Sequence, residues 1–261
     1  MSAGANDPLL DDVHEDLQNA APLSTAKWMF GRTEIDLVSD PAVFRPTLTT
    51  SLLIESVLGA GVRGKTVLDL GCGSGPISVA LALSGAQHVY AADLMPRACE
   101  IAAKNTIINR VADRVTVVQG NLFEPVSNRK FDLIVDDVSG VAEEVARLSS
   151  WFPPEVPLGG ADGTILTVEV LKNAERHLNP GGHLYFPVLS LSNAGKIISV
   201  ARGIFDDRLT RIASKQVPFN HELKEHLDAL YRLRELGLID FAQVRSRLCW
   251  SLEIFRADAL E

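Results

Sequence analysis

The stretch VLDLGCGSGP at residues 67–76 decides the fold. TVLDL at 66–70 is a short apolar run of the kind that forms a buried strand. Gly71, Gly73 and Gly75 follow, a turn in which no Cβ keeps a ligand away from the backbone. Pro76 suits the first position of a helix, which the pattern predicts over 76–83. HVYAAD at 88–93 reads as the next strand and ends in an acidic residue, Asp93. A second helix is predicted from Pro96 to about residue 109.

Outward from this unit the alternation continues. Residues 115–118, 131–136 (FDLIVD) and 183–188 (HLYFPV) read as strands, the last after a helix over roughly 167–178. Strands alternating with helices imply a parallel sheet covered on both faces. In the tail, 209–217 and 247–256 read as two strands. Between them Leu223, Leu227, Leu230 and Tyr231 share one face of a helix predicted over 222–238. Residues 1–20 read as an acidic arm, and 49–58 as a helix that opens on hydroxyl caps. The expected class is α/β, a Rossmann-like, doubly wound, mostly parallel seven-stranded sheet. It carries an N-terminal arm and helical extension (1–60) on a main domain (61–261), with a helical insertion at about 220–242.

Composition narrows the function. Among 261 residues, 46% are hydrophobic and 22% charged, which excludes a disordered chain, a collagen-like chain and a small disulfide scaffold. No run of about 18 apolar residues occurs, so no membrane-spanning helix is expected. The start is acidic where an export signal is basic and then apolar, so a cytoplasmic protein is expected. Cys72, Cys99 and Cys249 form no CxxC pair and the histidines lack ligand spacing, so no metal site is expected. The net charge of −8 disfavours phosphate backbones, so neither DNA nor RNA is an expected partner.

The glycine turn fits two cofactor classes unequally. A dinucleotide site wants G-x-G-x-x-G, whereas this loop has G-x-G-x-G followed by Pro76. Asp69 would repel a pyrophosphate but suits the cationic amino-acid end of S-adenosylmethionine. Asp93 can accept hydrogen bonds from both hydroxyls of a ribose.

Over roughly residues 40–192 the sequence resembles the class I S-adenosylmethionine-dependent methyltransferases. Asp69, Gly71, Gly73 and Gly75 match that family's first motif, and Asp93 matches its ribose-holding acid. Gly120-Asn121-Leu122 resembles the segment beside the adenine, and LNPGG at 178–182 the turn before the fifth strand. The resemblance implies S-adenosylmethionine as cofactor. Its contacts are expected from Asp69, Gly71, Cys72, Gly73, Gly75, Asp93, Leu94, Asn121, Leu122 and Asp136.

In this architecture the residues after the fourth strand face the transferring methyl. Here they are Asp136-Asp137-Val138-Ser139-Gly140, followed by Glu143 and Glu144. The chain also resembles the glutamine N5-methyltransferases of peptide release factors. Phe44-Arg45-Pro46 with Thr49 and Glu55, and GGADG at 159–163, are similar to their segments. Their Asn-Pro-Pro-Tyr is replaced, with Asp136 on the Asn, Asp137 and Val138 on the prolines and Ser139 on the Tyr. FDLIVDDVSG is also similar to the segment of protein arginine methyltransferases whose acids clasp a guanidinium. There Asp137 takes the first acidic position, with Glu143 or Glu144 near the second. Carboxylates suit such a group through bidentate, charge-assisted hydrogen bonds.

The leading expectation is therefore an N-methyltransferase. Its acceptor is a small-molecule or protein side-chain amine or guanidine, held by the catalytic set Asp136, Asp137, Glu143 and Glu144. An O-methyltransferase, an RNA- or ribosome-linked methyltransferase and a non-catalytic cofactor-binding subunit are the alternatives. Glu143 and Glu144 read equally well as a solvated helix face, and Asp137 as a helix cap. Trp151-Phe152-Pro153-Pro154 reads as a lid over the pocket or as a hydrophobic plug.

Overall fold

Val67, Leu68 and Leu70 are fully buried because β3 (Thr66–Leu70) runs through the middle of a sheet covered on both faces. The computed structural model describes residues 24–31 and 33–261. In it β3 lies between β4 (His88–Asp93) and β6 (Phe131–Asp136), parallel to both. The full order is β5-β4-β3-β6-β7-β10-β8, with β5 (Val115–Gln119), β7 (Leu178–Leu189), β8 (Leu209–Pro218) and β10 (Arg247–Asp258). Only β10 runs antiparallel to its sheet neighbours β7 and β8. A short β9 (Ala242–Val244) pairs with β10 outside this order. The expected doubly wound, mostly parallel seven-stranded sheet is present, with β9 added.

Side-chain alternation along the strands divides the core in two. One face takes α1 (Leu48–Ala60) and α2 (Pro76–Leu83), which bring Leu53, Ile54, Val57 and Ile77 against Val67, Leu133, Tyr185 and Leu252. The other face takes α5 (Ile165–His177) and α6 (Ala194–Phe205). There Val170, Leu171, Ile197 and Phe205 pack on Leu68, Leu70, Ile134 and Phe186. A buried side chain of this size contributes about 1.5–3 kcal/mol relative to exposure. Both α2 and α3 (Pro96–Ile108) begin with proline at their first turn, which costs no hydrogen bond there.

Three regions differ from expectation. Ahead of α1 stands a hairpin, β1 (Ser24–Phe30) and β2 (Thr33–Ser39), in place of further helix. The expected acidic arm, 1–20, lies outside the described residues. The outer edge of β2 is held by two side-chain amides, of Asn105 in α3 and of Asn109, the residue that caps its C-terminus. Asn105 binds the N–H and C=O of Val38, and Asn109 those of Asp36. Between β8 and β10 the expected single helix is two, α7 (His221–Glu225) and α8 (Leu227–Glu235). His226 leaves helical geometry at φ −118°, ψ 30°, and this break still lets Leu223 and Leu230 be buried, while Tyr231 stays exposed. The long connection after β6 holds one short helix, α4 (Glu143–Arg147).

Candidate active site

The sheet order reverses direction at β3, between β4 and β6. In open α/β sheets the crevice outside the carboxyl ends at such a point binds ligands. Here it collects the 71–75 loop from β3, Asp93 from β4 and Asp137 from β6. The loop is pinned to β4, since the N–H groups of Gly71 and Cys72 both donate to Ala92 O, at 2.9 and 3.0 Å. Gly73 N–H donates to Asp93 Oδ2 at 2.8 Å, and Met95 N–H to Oδ1 at 2.9 Å. Gly71 has φ +71°, and a Cβ there would lie 3.1 Å from Val138 Cα. The segment after β6 therefore lies directly on the glycine loop. Asp137 N–H also donates to Leu70 O at 3.0 Å.

From this floor a cleft runs along the strand ends, from Asn121 and Leu122 after β5 to Leu189 at the end of β7. It encloses about 1140 Å³ counted out to its open mouth. Beyond Asp137 the wall is mostly apolar, with Phe44, Pro46, Phe152, Val156, Leu166 and Leu189. Phe44 and Phe152 meet with ring centroids 4.9 Å apart, so the 149–158 loop closes on the segment before α1. Phe152 thus belongs to the cleft, while half-buried Trp151 packs on the core. Among the described residues no Lys, Arg or His lines the cleft, and its charged groups are Asp93 and Asp137.

Asp137 is oriented from outside its own loop. Thr50 Oγ1 donates to Asp137 Oδ2 at 2.8 Å, while Thr47 N–H donates to Thr50 Oγ1 at 3.2 Å. The capping box that starts α1 thereby fixes the acid. Burial pushes the Asp137 carboxyl well above the usual carboxylate range, although the Thr50 hydrogen bond opposes it, and the charges of Asp69 and Asp136 push the same way. Burial also raises Asp93, against the opposing N–H groups of Met95, Gly73 and Leu94.

Comparison with known proteins agrees with this geometry. The profile of the ribosomal protein L11 methyltransferase (PrmA) family matches residues 47–162. The release factor glutamine methyltransferase of Geobacter sulfurreducens is 36% identical over 161 residues, covering 58% of this chain and 54% of that one. The ribosomal protein L11 methyltransferase of Pelotomaculum thermopropionicum is 43% identical over 121 residues, 46% of this chain and 37% of that one. The chain thus spans about half or less of these curated relatives. A 16S rRNA N2 G1207 methyltransferase from T. Thermophilus, solved with AdoMet and guanosine, superposes with a TM-score of 0.57 at 17% identity. That match covers 92% of this chain and 51% of the other, and at this identity it speaks for the fold alone. In fold and in its cofactor motifs the chain is similar to the class I S-adenosylmethionine-dependent methyltransferases.

The cleft fits S-adenosylmethionine on two observations. The N–H groups of Gly71, Cys72 and Gly73 are spent on Ala92 O and Asp93, so they are not free to cradle a pyrophosphate. A lining with two acids and no base matches a ligand with sulfonium and ammonium charges. Of the residues expected from sequence, Gly71, Cys72, Gly73, Asp93, Leu94, Asn121, Leu122 and Asp137 line the cleft. Burial holds the Cys72 thiol well above its ordinary range, so it is a packing group there.

Five expected residues lie elsewhere. Asp69 is buried under α2, where Ser78 N–H and Oγ donate to its Oδ2 at 3.1 and 2.6 Å. Gly75 is the left-handed cap of α2, and a Cβ there would lie 3.2 Å from Ala102 Cβ, so its place is set by helix packing. Asp136 alternates to the opposite face from Asp137 and is fully buried, accepting Val138 N–H at 3.2 Å. Burial raises its carboxyl to about 7. Glu143 and Glu144 stand outside the cleft, ion-paired with Arg147 and Arg232. The expected four-acid clasp is therefore corrected: of Asp136, Asp137, Glu143 and Glu144, Asp137 alone lines the cleft. GGADG is likewise a packing device. A Cβ on Gly163 would lie 2.6 Å from Ala142 N, and Glu143 N–H donates to Gly160 O at 3.0 Å, clamping the post-β6 segment. Thr50 was not anticipated by sequence reasoning, although its hydroxyl-cap setting is visible there.

Proposed function

We propose that the chain transfers a methyl group from S-adenosylmethionine to a side-chain nitrogen of a protein, in the cytoplasm. The observation that carries this is Asp137, a single carboxyl held by Thr50 at the inner end of an apolar slot without a basic residue. Such a slot disfavours phosphate-bearing acceptors, which need cations or free N–H groups. A guanidinium clasp needs two acids, and Glu143 and Glu144 are engaged elsewhere. The names of the relatives, a release factor glutamine methyltransferase and a ribosomal protein L11 methyltransferase, support a protein acceptor. Among the described residues no helix is long and apolar enough to cross a membrane.

Bound S-adenosylmethionine supplies an electrophilic methyl on a sulfonium. Asp93 accepts hydrogen bonds from the ribose hydroxyls, its orientation already set by Gly73 and Met95. Asp137 keeps Oδ1 free of Thr50 and turns it to an N–H of the acceptor, which aims the nitrogen lone pair along the cleft. The new N–C bond would form as the methyl's bond to sulfur breaks, and Asp137 in its ionised form would take up the proton that the nitrogen loses. Phe44 and Phe152 exclude water from this end.

Purified protein, labelled S-adenosylmethionine and a cell extract separated into protein, RNA and small-molecule fractions test the reading. Label in protein, stable to base treatment that cleaves methyl esters, is the expected result. Label confined to RNA or to small molecules overturns it.

A further inference from the structure

Asn105 of α3 has no exposed surface and spends its whole carboxamide on two separate parts of the chain. Its Oδ1 accepts Val38 N–H at 2.7 Å, and its Nδ2 donates to Val38 O at 3.1 Å. That pair completes the outer edge of β2, as a neighbouring strand does. The second Nδ2 hydrogen goes elsewhere, to Ser74 O at 2.8 Å. Ser74 sits between Gly73 and Gly75 and lines the cleft. The bond to Ser74 adds nothing to the hairpin, yet it fixes a carbonyl flanked by two glycines, where the backbone resists displacement least.

The neighbouring amide shows the difference. Asn109, which caps the C-terminus of α3, lies one turn later and holds Asp36 in the same way, with Oδ1 at 3.0 Å from Asp36 N and Nδ2 at 2.7 Å from Asp36 O. Its remaining bond is to Asn105 O within α3, and it has none to the glycine loop. Arg97, at the start of α3, anchors the chain just beyond β2 through Asp40 at 2.7 Å. Three tethers therefore dock the hairpin along α3, and one of them also grips the glycine loop.

We propose that Asn105 is a positioning residue for S-adenosylmethionine binding, through which the docked β1–β2 hairpin sets the conformation of the 71–75 loop. This rests on the reading of the cleft as the S-adenosylmethionine site. Calorimetric titration of the parent protein comes first, because absence of binding there defeats that reading and leaves the Asn105 comparison unneeded. Asn105→Asp keeps the acceptor for Val38 N–H and removes both Nδ2 donors, to Val38 O in the hairpin and to Ser74 O in the loop, while Asn109→Ala loosens the hairpin and leaves the loop contact intact. Titrations are run well below each variant's melting temperature. Asn105→Asp is expected to weaken binding about tenfold or more with the stoichiometry near one, and Asn109→Ala to change it by less than about twofold at a similar loss of melting temperature. A purely structural Asn105 instead lowers the competent fraction with the affinity unchanged, and that result overturns the proposal, as does an equal affinity loss in both variants. Asn105→Ser is read in the same way if Asn105→Asp does not fold. Failure of both to fold also counts against a positioning role.

Discussion

The hydroxyl of Thr50 reaches across 87 positions of sequence to donate to Asp137 Oδ2 at 2.8 Å. One bond thereby ties the N-terminus of α1 to the segment that lies on the glycine loop. Thr50→Val keeps the shape and removes the donor. Methyl transfer is expected to fall about ten- to hundredfold, because a buried carboxyl loses its fixed partner, while cofactor affinity changes by less than roughly threefold. Single-turnover transfer alongside calorimetry separates the two. A matched fall in both assigns Thr50 to the cofactor instead.

Asp93 is the proposed ribose contact. Asp93→Ala is expected to weaken S-adenosylmethionine binding by about 1.5–3 kcal/mol, roughly ten- to hundredfold. Affinity in the parent is also expected to decline as the solution is acidified through the carboxyl's pKa, which burial places above the ordinary value. NADH, by contrast, is expected to show no micromolar binding in a fluorescence titration, since the loop N–H groups are already engaged.

Asp136 makes stability depend on pH. The folded protein keeps this proton up to about 7, whereas the unfolded chain releases it near 3.8. Below the lower value both states are protonated. Between the two, only the unfolded state loses its proton as pH rises, so stability falls by about 1.4 kcal/mol per pH unit from this group. Asp69, also raised to about 7 by burial, adds to the same slope. Asp136→Asn is expected to shrink the slope, gaining on the parent as pH climbs through that window. Urea melts at acidic and alkaline pH check this, and an unchanged slope removes Asp136 as a source.

Glu143 and Glu144 are surface ion-pair partners, so Glu144→Gln should leave methyl transfer within about twofold and stability within about 1 kcal/mol. A large loss of transfer with normal folding would restore the acidic clasp. Gly71→Ala is the contrasting substitution. A left-handed φ and a backbone neighbour 3.1 Å away leave the Cβ no room, so both stability and cofactor affinity are expected to drop by more than about 1 kcal/mol. Thermal melts and calorimetry read the two effects.

The sheet was legible because each of its signals is local. The run 66–76 carries strand, turn and helix start in one stretch, and the tail strand at 247–256 is rich in apolar and aromatic residues. The hairpin was not legible, because β1 is exposed along most of its length and β2's outer edge is satisfied by Asn105 and Asn109, which lie 67 and 73 positions away. Asp136 and Asp137 illustrate a sharper limit. A shift of one residue along a strand moves a side chain to the opposite face, so nothing short of the strand's position in the sheet tells which acid meets the cleft. Glu144 was misplaced for a related reason, since Arg232, its partner, comes 88 positions later.

Asp137 is the central claim, and its direct test is single-turnover methyl transfer by the parent and by Asp137→Asn, with the protein fraction of the extract as acceptor. The account predicts a fall of about a hundredfold or more for Asp137→Asn, from lost orientation and lost proton acceptance together, with cofactor affinity nearly unchanged. Equal rates in the two proteins would contradict it.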